Sequence, residues 1–241
     1  MSPSHYPGNY PGNHPRHPPR HHPGQDTLLA YVAGSLAAGS SLVLAIHLET
    51  CGACRELVAA LEVAGGVLLD QLAPSPLSSL ALARAMAAIE RPFPGAVAPM
   101  RPDSPRHPRA AQPTRLDGIT LPRALARKTI GPWCWLAPGM RWSRVEMPMA
   151  PGANVVLMRG RADALLPAHG HQGSEFTQVL SGGVIDGEMG YEAGDMFVAD
   201  DHTNHHLRVA EGGECLCIAA IEGRMRMNGL IGRILQPLVG P

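Results

Sequence analysis

Seven prolines stand within residues 91–113, and no other stretch limits the fold as strongly. Proline fixes φ and carries no N–H, so neither a helix interior nor a central strand continues through it. The stretch also holds several arginines and almost no apolar periodicity, which predicts an extended, semi-rigid linker over 91–115. The 241 residues therefore divide into two parts, in keeping with roughly 150 residues or fewer per domain. Residues 1–24 hold another seven prolines with five histidines and three glycines. So little apolar surface does not offset the entropy of ordering. A disordered tail is expected over 1–21, with metal scavenging by its histidines as the minor reading.

Composition narrows the function. Lys+Arg and Asp+Glu number 20 each, for a net charge of +0, which argues against a nucleic-acid binder held by bulk positive charge. No apolar run approaches the roughly 18 residues of a membrane-spanning helix. No apolar segment follows the first basic residues as a secretory signal would require, so a cytoplasmic protein is expected. In a reducing compartment five scattered cysteines serve as thiols or metal ligands rather than a disulfide scaffold. Aromatic residues make up only 4%, so the cores must be mostly aliphatic.

Residues 25–90 carry helical spacing. Leu28, Leu29, Tyr31, Val32 and Leu36 mark a first helix ending near Gly39. Ser40 or Ser41 caps a second, carried to Cys51 by Leu42, Leu44, Ile46 and Leu48. Leu57, Leu61, Ala64 and Leu68 mark a third, with a soft end at Gly65-Gly66. Ser75-Pro76 reads as N-cap and first turn of a fourth, with Leu77, Leu80, Met86 and Ile89 on its apolar side. A helical domain over 22–90 is predicted, small enough to call for a staple such as a metal.

That staple has candidate ligands in His47-Leu-Glu-Thr-Cys51-Gly-Ala-Cys54. His47 and Cys51 are i and i+4, on one face of a helix, and Cys54 follows one tight turn later. Tetrahedral zinc wants a fourth ligand, and the pair His21-His22 is placed to supply it, with His22 preferred over His21 for its approach to the first helix. Two thiolates and two neutral imidazoles around a dication sum to zero charge, which a small apolar core tolerates. A thioredoxin-type redox pair would follow a strand in a βαβ unit, absent here. Two plain core cysteines are the remaining alternative.

Residues 116–235 read as strands: Trp142–Met147, Asn154–Arg159, Phe176–Leu180, Met196–Ala199 and Leu216–Ala220 are separated by Pro-Gly, Gly-Gly and Ala-Gly-Asp turns. This spacing predicts a sandwich or small barrel over 116–241. The fold class is thus α + β in two domains, a small helical bundle and then a β-barrel. In His169-Gly-His171-Gln-Gly-Ser-Glu175, His169 and His171 point to the same side of a strand. His205 lies eleven residues beyond Gly194 and is preferred on that distance over its rivals His202 and His206. The pattern resembles the two signature stretches of the cupin fold, departing from it where Asp200-Asp201-His202 replaces Pro-x-Gly and Val209 replaces a frequent Asn. Three histidines and a glutamate suit Zn, Mn, Fe or Ni. A site closed by four side chains is structural or sensory, whereas an open position allows chemistry.

Cys215 and Cys217 are i and i+2 on one strand face, read first as core packing and alternatively as an oxidation-sensitive pair near the second metal. Cys134 is expected to be structural. Residues 224–237 read as a segment packing on the barrel.

His47-x3-Cys51-x2-Cys54 with His22 upstream, in the runs Thr27–Leu36 and Leu44–Leu48, resembles the zinc-binding anti-sigma domain of the ChrR type. Both halves in this order, joined by a proline linker, resemble ChrR-type anti-sigma factors over residues 22–240. The resemblance implies a cytoplasmic regulator rather than an enzyme. Zinc would be held by His22, His47, Cys51 and Cys54, and a second metal by His169, His171, Glu175 and His205 in a cupin sensor. It also implies a 1:1 complex with an extracytoplasmic-function (ECF) sigma factor, gripped by an apolar helix face and released under singlet oxygen or organic hydroperoxide, with no direct nucleic-acid or membrane binding. The alternative class is a cupin metalloenzyme, a dioxygenase or isomerase, with a helical interaction module; it needs an exchangeable coordination position and a lined pocket. A metal-storage protein is the third reading.

Overall fold

All four helices expected in residues 25–90 form, but with different ends. The structure is a computed structural model that describes residues 18–90, 115–166 and 168–227. The expected tail up to residue 17, the linker up to 114 and the segment beyond 227 lie outside the described residues. Helix α1 is Gln25–Val32, α2 Ala38–Thr50, α3 Gly52–Asp70 and α4 Ala81–Glu90. The cap of α2 is Ala37, not Ser40 or Ser41. Those two hydroxyls are committed elsewhere, Ser40 Oγ donating to the Glu222 carboxylate and Ser41 Oγ to Leu36 O. Helix α3 passes through Gly65-Gly66 without a break. Helix α4 begins at Ala81 rather than at Ser75-Pro76, because Pro76 enforces an extended Ser75 without starting a helix. The short α5, Arg123–Ala126, is too brief to show periodicity; Glu49 at the end of α2 accepts the Arg123 and Ala124 N–H groups and caps it.

The strands are β1 Arg115–Leu116, β2 Ile119–Thr120, β3 Cys134–Ala137, β4 Met140–Arg144, β5 Asn154–Gly160, β6 His169–Gln172 and β7 Glu175–Ser181. They continue with β8 Gly183–Asp186, β9 Met189–Glu192, β10 Met196–Ala199, β11 Asn204–His205, β12 Leu207–Val209, β13 Cys215–Ile221 and β14 Arg224–Met227. The expected strand 142–147 is β4, which starts earlier and ends at Arg144; Val145 makes an isolated bridge to Ile130 and donates its N–H to Val155 O. A six-stranded sheet runs β10-β7-β13-β5-β4-β3, and two three-stranded sheets run β11-β6-β14 and β12-β8-β9. All the strand pairs are antiparallel.

By contacts the described residues divide into two compact units, those up to 63 together with those from 115 on, and 64–90. In the first unit the centre of the six-stranded sheet, strands β7, β13 and β5, is buried on both faces. Cys215, Cys217, Ala219 and Ile221 of β13 pack inward with Val156, Met158 and Val179. The alternate residues Leu216, Ile218 and Ala220 pack outward with Val155, Leu157, Phe176 and Leu180 against Leu28, Leu42, Leu44 and Ile46 of α1 and α2. A strand buried on both sides has no polar alternation, which is why β13 reads Cys-Leu-Cys-Ile-Ala-Ala-Ile. A 13-residue helix is marginal alone. Each fully buried Leu, Val or Ile adds roughly 1.5–3 kcal/mol, so α2 is held by the sheet more than by its own propensity. Gly39 allows the close approach, since a Cβ there would lie 3.0 Å from Val155 Cγ2.

In the second unit α4 buries no residue, and Leu82, Met86 and Ile89 form an exposed apolar stripe at i, i+4 and i+7. Leu68, Leu69, Leu72 and Leu77 are exposed as well. No helix among the described residues is long and apolar enough to cross a membrane.

Candidate metal centres

The first centre forms where α2 ends. His47 lies in its last turn, Cys51 is its C-cap, and Cys54 sits in the first turn of α3. Cys54 N donates to Cys51 Sγ at 3.4 Å, the tight turn that points both sulfurs the same way. His22 arrives from the segment before α1, its Nδ1 at 3.3 Å from Cys51 Sγ and 3.5 Å from Cys54 Sγ. The four ligand atoms lie within 4.8 Å of one another; His47, Cys51 and Cys54 are buried and His22 is exposed. His21, the rival to His22, is turned away, its ring against Tyr191 with centroids 4.6 Å apart.

His47 shows what this cluster is built to hold. Its Nδ1 lies 3.0 Å from Gln178 Oε1 and 3.1 Å from Gly194 O. A carbonyl only accepts, so Nδ1 carries the proton and Nε2 presents a lone pair. That Nε2 is buried with no hydrogen-bond partner, a costly state that a cation among two sulfurs and two imidazoles relieves. Burial, reinforced by the nearby His22, holds His47 below the usual histidine value and so neutral, as a metal ligand must be. Burial and the hydrogen bond to Cys51 push the Cys54 thiol up to about 12. The donor set, two sulfurs and two imidazoles, fits tetrahedral zinc.

The second centre lies inside the barrel. His169 on β6 pairs in register with His205 on β11, and Glu175 opens β7. His169, Glu175 and His205 are all at most 2% exposed, and their ligand atoms lie within 4.8 Å of one another. The two Nε2 atoms are 3.0 Å apart, and Glu175 Oε2 is 3.8 Å from His169 Nε2. Thr177 Oγ1 donates to Glu175 Oε1 at 2.8 Å. Asp186 Oδ2 lies 3.3 Å from His205 Nδ1, the carboxylate–histidine arrangement that aims the other ring nitrogen at a metal. Burial, then the neighbouring His169, lowers the pKa of His205. His171 lies on β6 opposite Met225, and its side chain is outside the described residues. The rivals His202 and His206 are exposed.

Residues 123–222 match the ChrR Cupin-like domain family. Over 213 residues the chain is 33% identical to the Anti-sigma-E factor ChrR of Cereibacter sphaeroides, covering 87% of this chain and 93% of that protein. The chain belongs to the ChrR family. The structure is also similar to that of ChrR in a crystal structure of Rhodobacter sphaeroides SigE in complex with the anti-sigma ChrR. That match has a TM-score of 0.63 at 32% identity and covers 84% of this chain and 99% of that one.

Three residues around the centres of this ChrR-family chain escaped the sequence reading: Gln178 and Asp195 beside the first, Asp186 beside the second. Gln178 had a signal, a polar residue in the apolar run Phe176–Leu180; Asp186 and Asp195 look like ordinary turn residues. Cys215 and Cys217 are buried in the barrel core with sulfurs 3.5 Å apart. Their mutual hydrogen bond and burial raise the Cys215 pKa, keeping it a thiol rather than a reactive thiolate. Cys134, expected to be structural, is exposed on β3.

Proposed function

We propose that this chain is an anti-sigma factor that binds and inhibits an ECF-type sigma factor in a 1:1 complex in the cytoplasm. The observation that carries the reading is similarity along nearly the whole length of a ChrR chain whose structure was solved in complex with SigE. The exposed apolar residues of α4 and of the end of α3 supply a surface that needs a partner. His22, His47, Cys51 and Cys54 would hold zinc. Bound there, zinc supplies a dication that neutralises the two thiolates. The chain's own contribution is to tie the segment before α1, the end of α2 and the start of α3 into one geometry. His169, His171, Glu175 and His205 would hold a divalent transition metal, Zn, Mn, Fe or Ni, in the barrel. The barrel centre is the sensing element, and singlet oxygen or an organic hydroperoxide triggers release of the sigma factor.

Sigma-dependent transcription by purified polymerase tests this reading. The full-length, metal-loaded chain should suppress it at one equivalent per sigma factor. Cys51→Ser with Cys54→Ser should lose both a zinc equivalent and the suppression, and suppression retained without zinc would refute the zinc role. His169→Ala or Glu175→Gln should keep suppression but blunt release by the oxidant. An unchanged release would remove the barrel from sensing.

A further inference from the structure

The first metal cluster is built from the N-terminal residues, yet its surroundings are supplied by the barrel. His47 Nδ1 is held by Gln178 Oε1 of β7 and by Gly194 O of the turn before β10. Gln178 Nε2 donates to Val179 O at 3.1 Å, which keeps Oε1 turned to the histidine. The strap that carries His22 is held at the same place. Asp195, 3% exposed, takes the N–H groups of Arg20 (2.7 Å) and His21 (3.1 Å) on Oδ1. Its Oδ2 takes that of Glu192 at 2.9 Å. Met196 N donates to His21 O at 3.1 Å. Two ligands of the cluster, His22 and His47, are therefore aimed by residues more than a hundred positions away in sequence.

We infer that Gln178 and Asp195 are positioning residues of the zinc cluster, so that the barrel presets the site by fixing the His47 tautomer and the path of the strap before His22. The inference rests on the zinc reading above and deepens it. Outer partners of this kind are worth 10–100-fold in metal affinity. Strand β7 gives the arrangement a regulatory sense. It carries Glu175, a ligand candidate of the barrel centre, on its inner face, and Gln178 three residues on faces outward with Phe176 and Leu180. A shift of β7 caused at the barrel centre therefore acts directly on His47, with no need for a signal through the linker.

The test uses the full-length chain. Zinc affinity is measured by competition with a chromophoric chelator, and geometry by the ligand-field and thiolate charge-transfer bands of Co2+ bound in place of zinc. Gln178→Met keeps the shape and removes the acceptor; Gln178→Glu restores it; Asp195→Ala frees the strap. Gln178→Met and Asp195→Ala should each weaken zinc by 10–100-fold and change the cobalt bands. Gln178→Glu should stay within a few-fold of the unaltered chain. A generally damaged fold would not be rescued by the conservative change, and metal content at the barrel reports on folding separately. The inference is overturned if Gln178→Met and Asp195→Ala bind zinc as tightly as the unaltered chain, or if Gln178→Glu weakens it as much as Gln178→Met. If Cys51→Ser leaves zinc binding unchanged, the zinc reading itself fails, which is a distinct result.

Discussion

Leu44→Ala probes whether the helices and the barrel share one core. Leu44 is 0% exposed on α2 and belongs to the same apolar cluster as Leu157 and Ile218 of the sheet. Truncating a buried leucine costs about 2–5 kcal/mol, the larger values where the cavity cannot collapse. A cavity wall made by a β-sheet relaxes little, so the upper half of that range is expected. At roughly 2–4 °C per kcal/mol for a chain of this size, Tm should fall by roughly 7–20 °C. The chain supplies its own reporters, for its three tryptophans, Trp133, Trp135 and Trp142, all lie outside the helices. Tryptophan fluorescence and far-UV circular dichroism should therefore shift together on thermal unfolding of the zinc-loaded protein. If the dichroism melts early while the fluorescence transition stays where it was, the shared core does not exist.

Gly223→Ala should destabilise the barrel centre selectively. Gly223 has φ +84°, and a Cβ there would clash with Gln172 O of β6. The backbone strain alone costs about 1–3 kcal/mol, and the barrel metal should be lost before the zinc, as read by metal analysis on dialysis. Acidification should destabilise the metal-free chain. Burial holds both His47 and His205 below the usual histidine value, so the unfolded chain binds more protons as pH falls through about 6.5. Stability then declines until their lowered folded values are passed. A Tm that holds or rises below that pH in chelator-treated protein would contradict the assignment. Burial and the bond to Cys51 push the Cys54 thiol up to about 12, so zinc bound there would have to expel its proton at neutral pH. Zinc affinity should rise at least about tenfold per pH unit, and a pH-independent affinity would place the metal elsewhere.

The local parts of both candidate clusters were legible because their spacing is short. His47 and Cys51 share a helix face, Cys54 is one turn away, and His169 opens a strand shortly before Glu175. Their surroundings were not legible, since Gln178 meets His47 across 131 residues and no periodicity records such a contact. Part of the architecture could have been read further. The unbroken apolar run of β13 signals a sheet covered on both sides, and α2 is the cover. Ser75-Pro76 misled because an extended residue before proline suits a helix cap and an ordinary loop equally well. The apolar positions of α4 followed helical spacing but face no core among the described residues, because periodicity reports a helix face without naming what covers it.

Mixing the full-length, metal-loaded chain with the ECF-type sigma factors of its own cell, and measuring the mass of what forms, tests the proposed anti-sigma role. One stable 1:1 complex with one of them, which core polymerase does not take apart, is expected. A folded chain with both centres filled that binds none of them would contradict it.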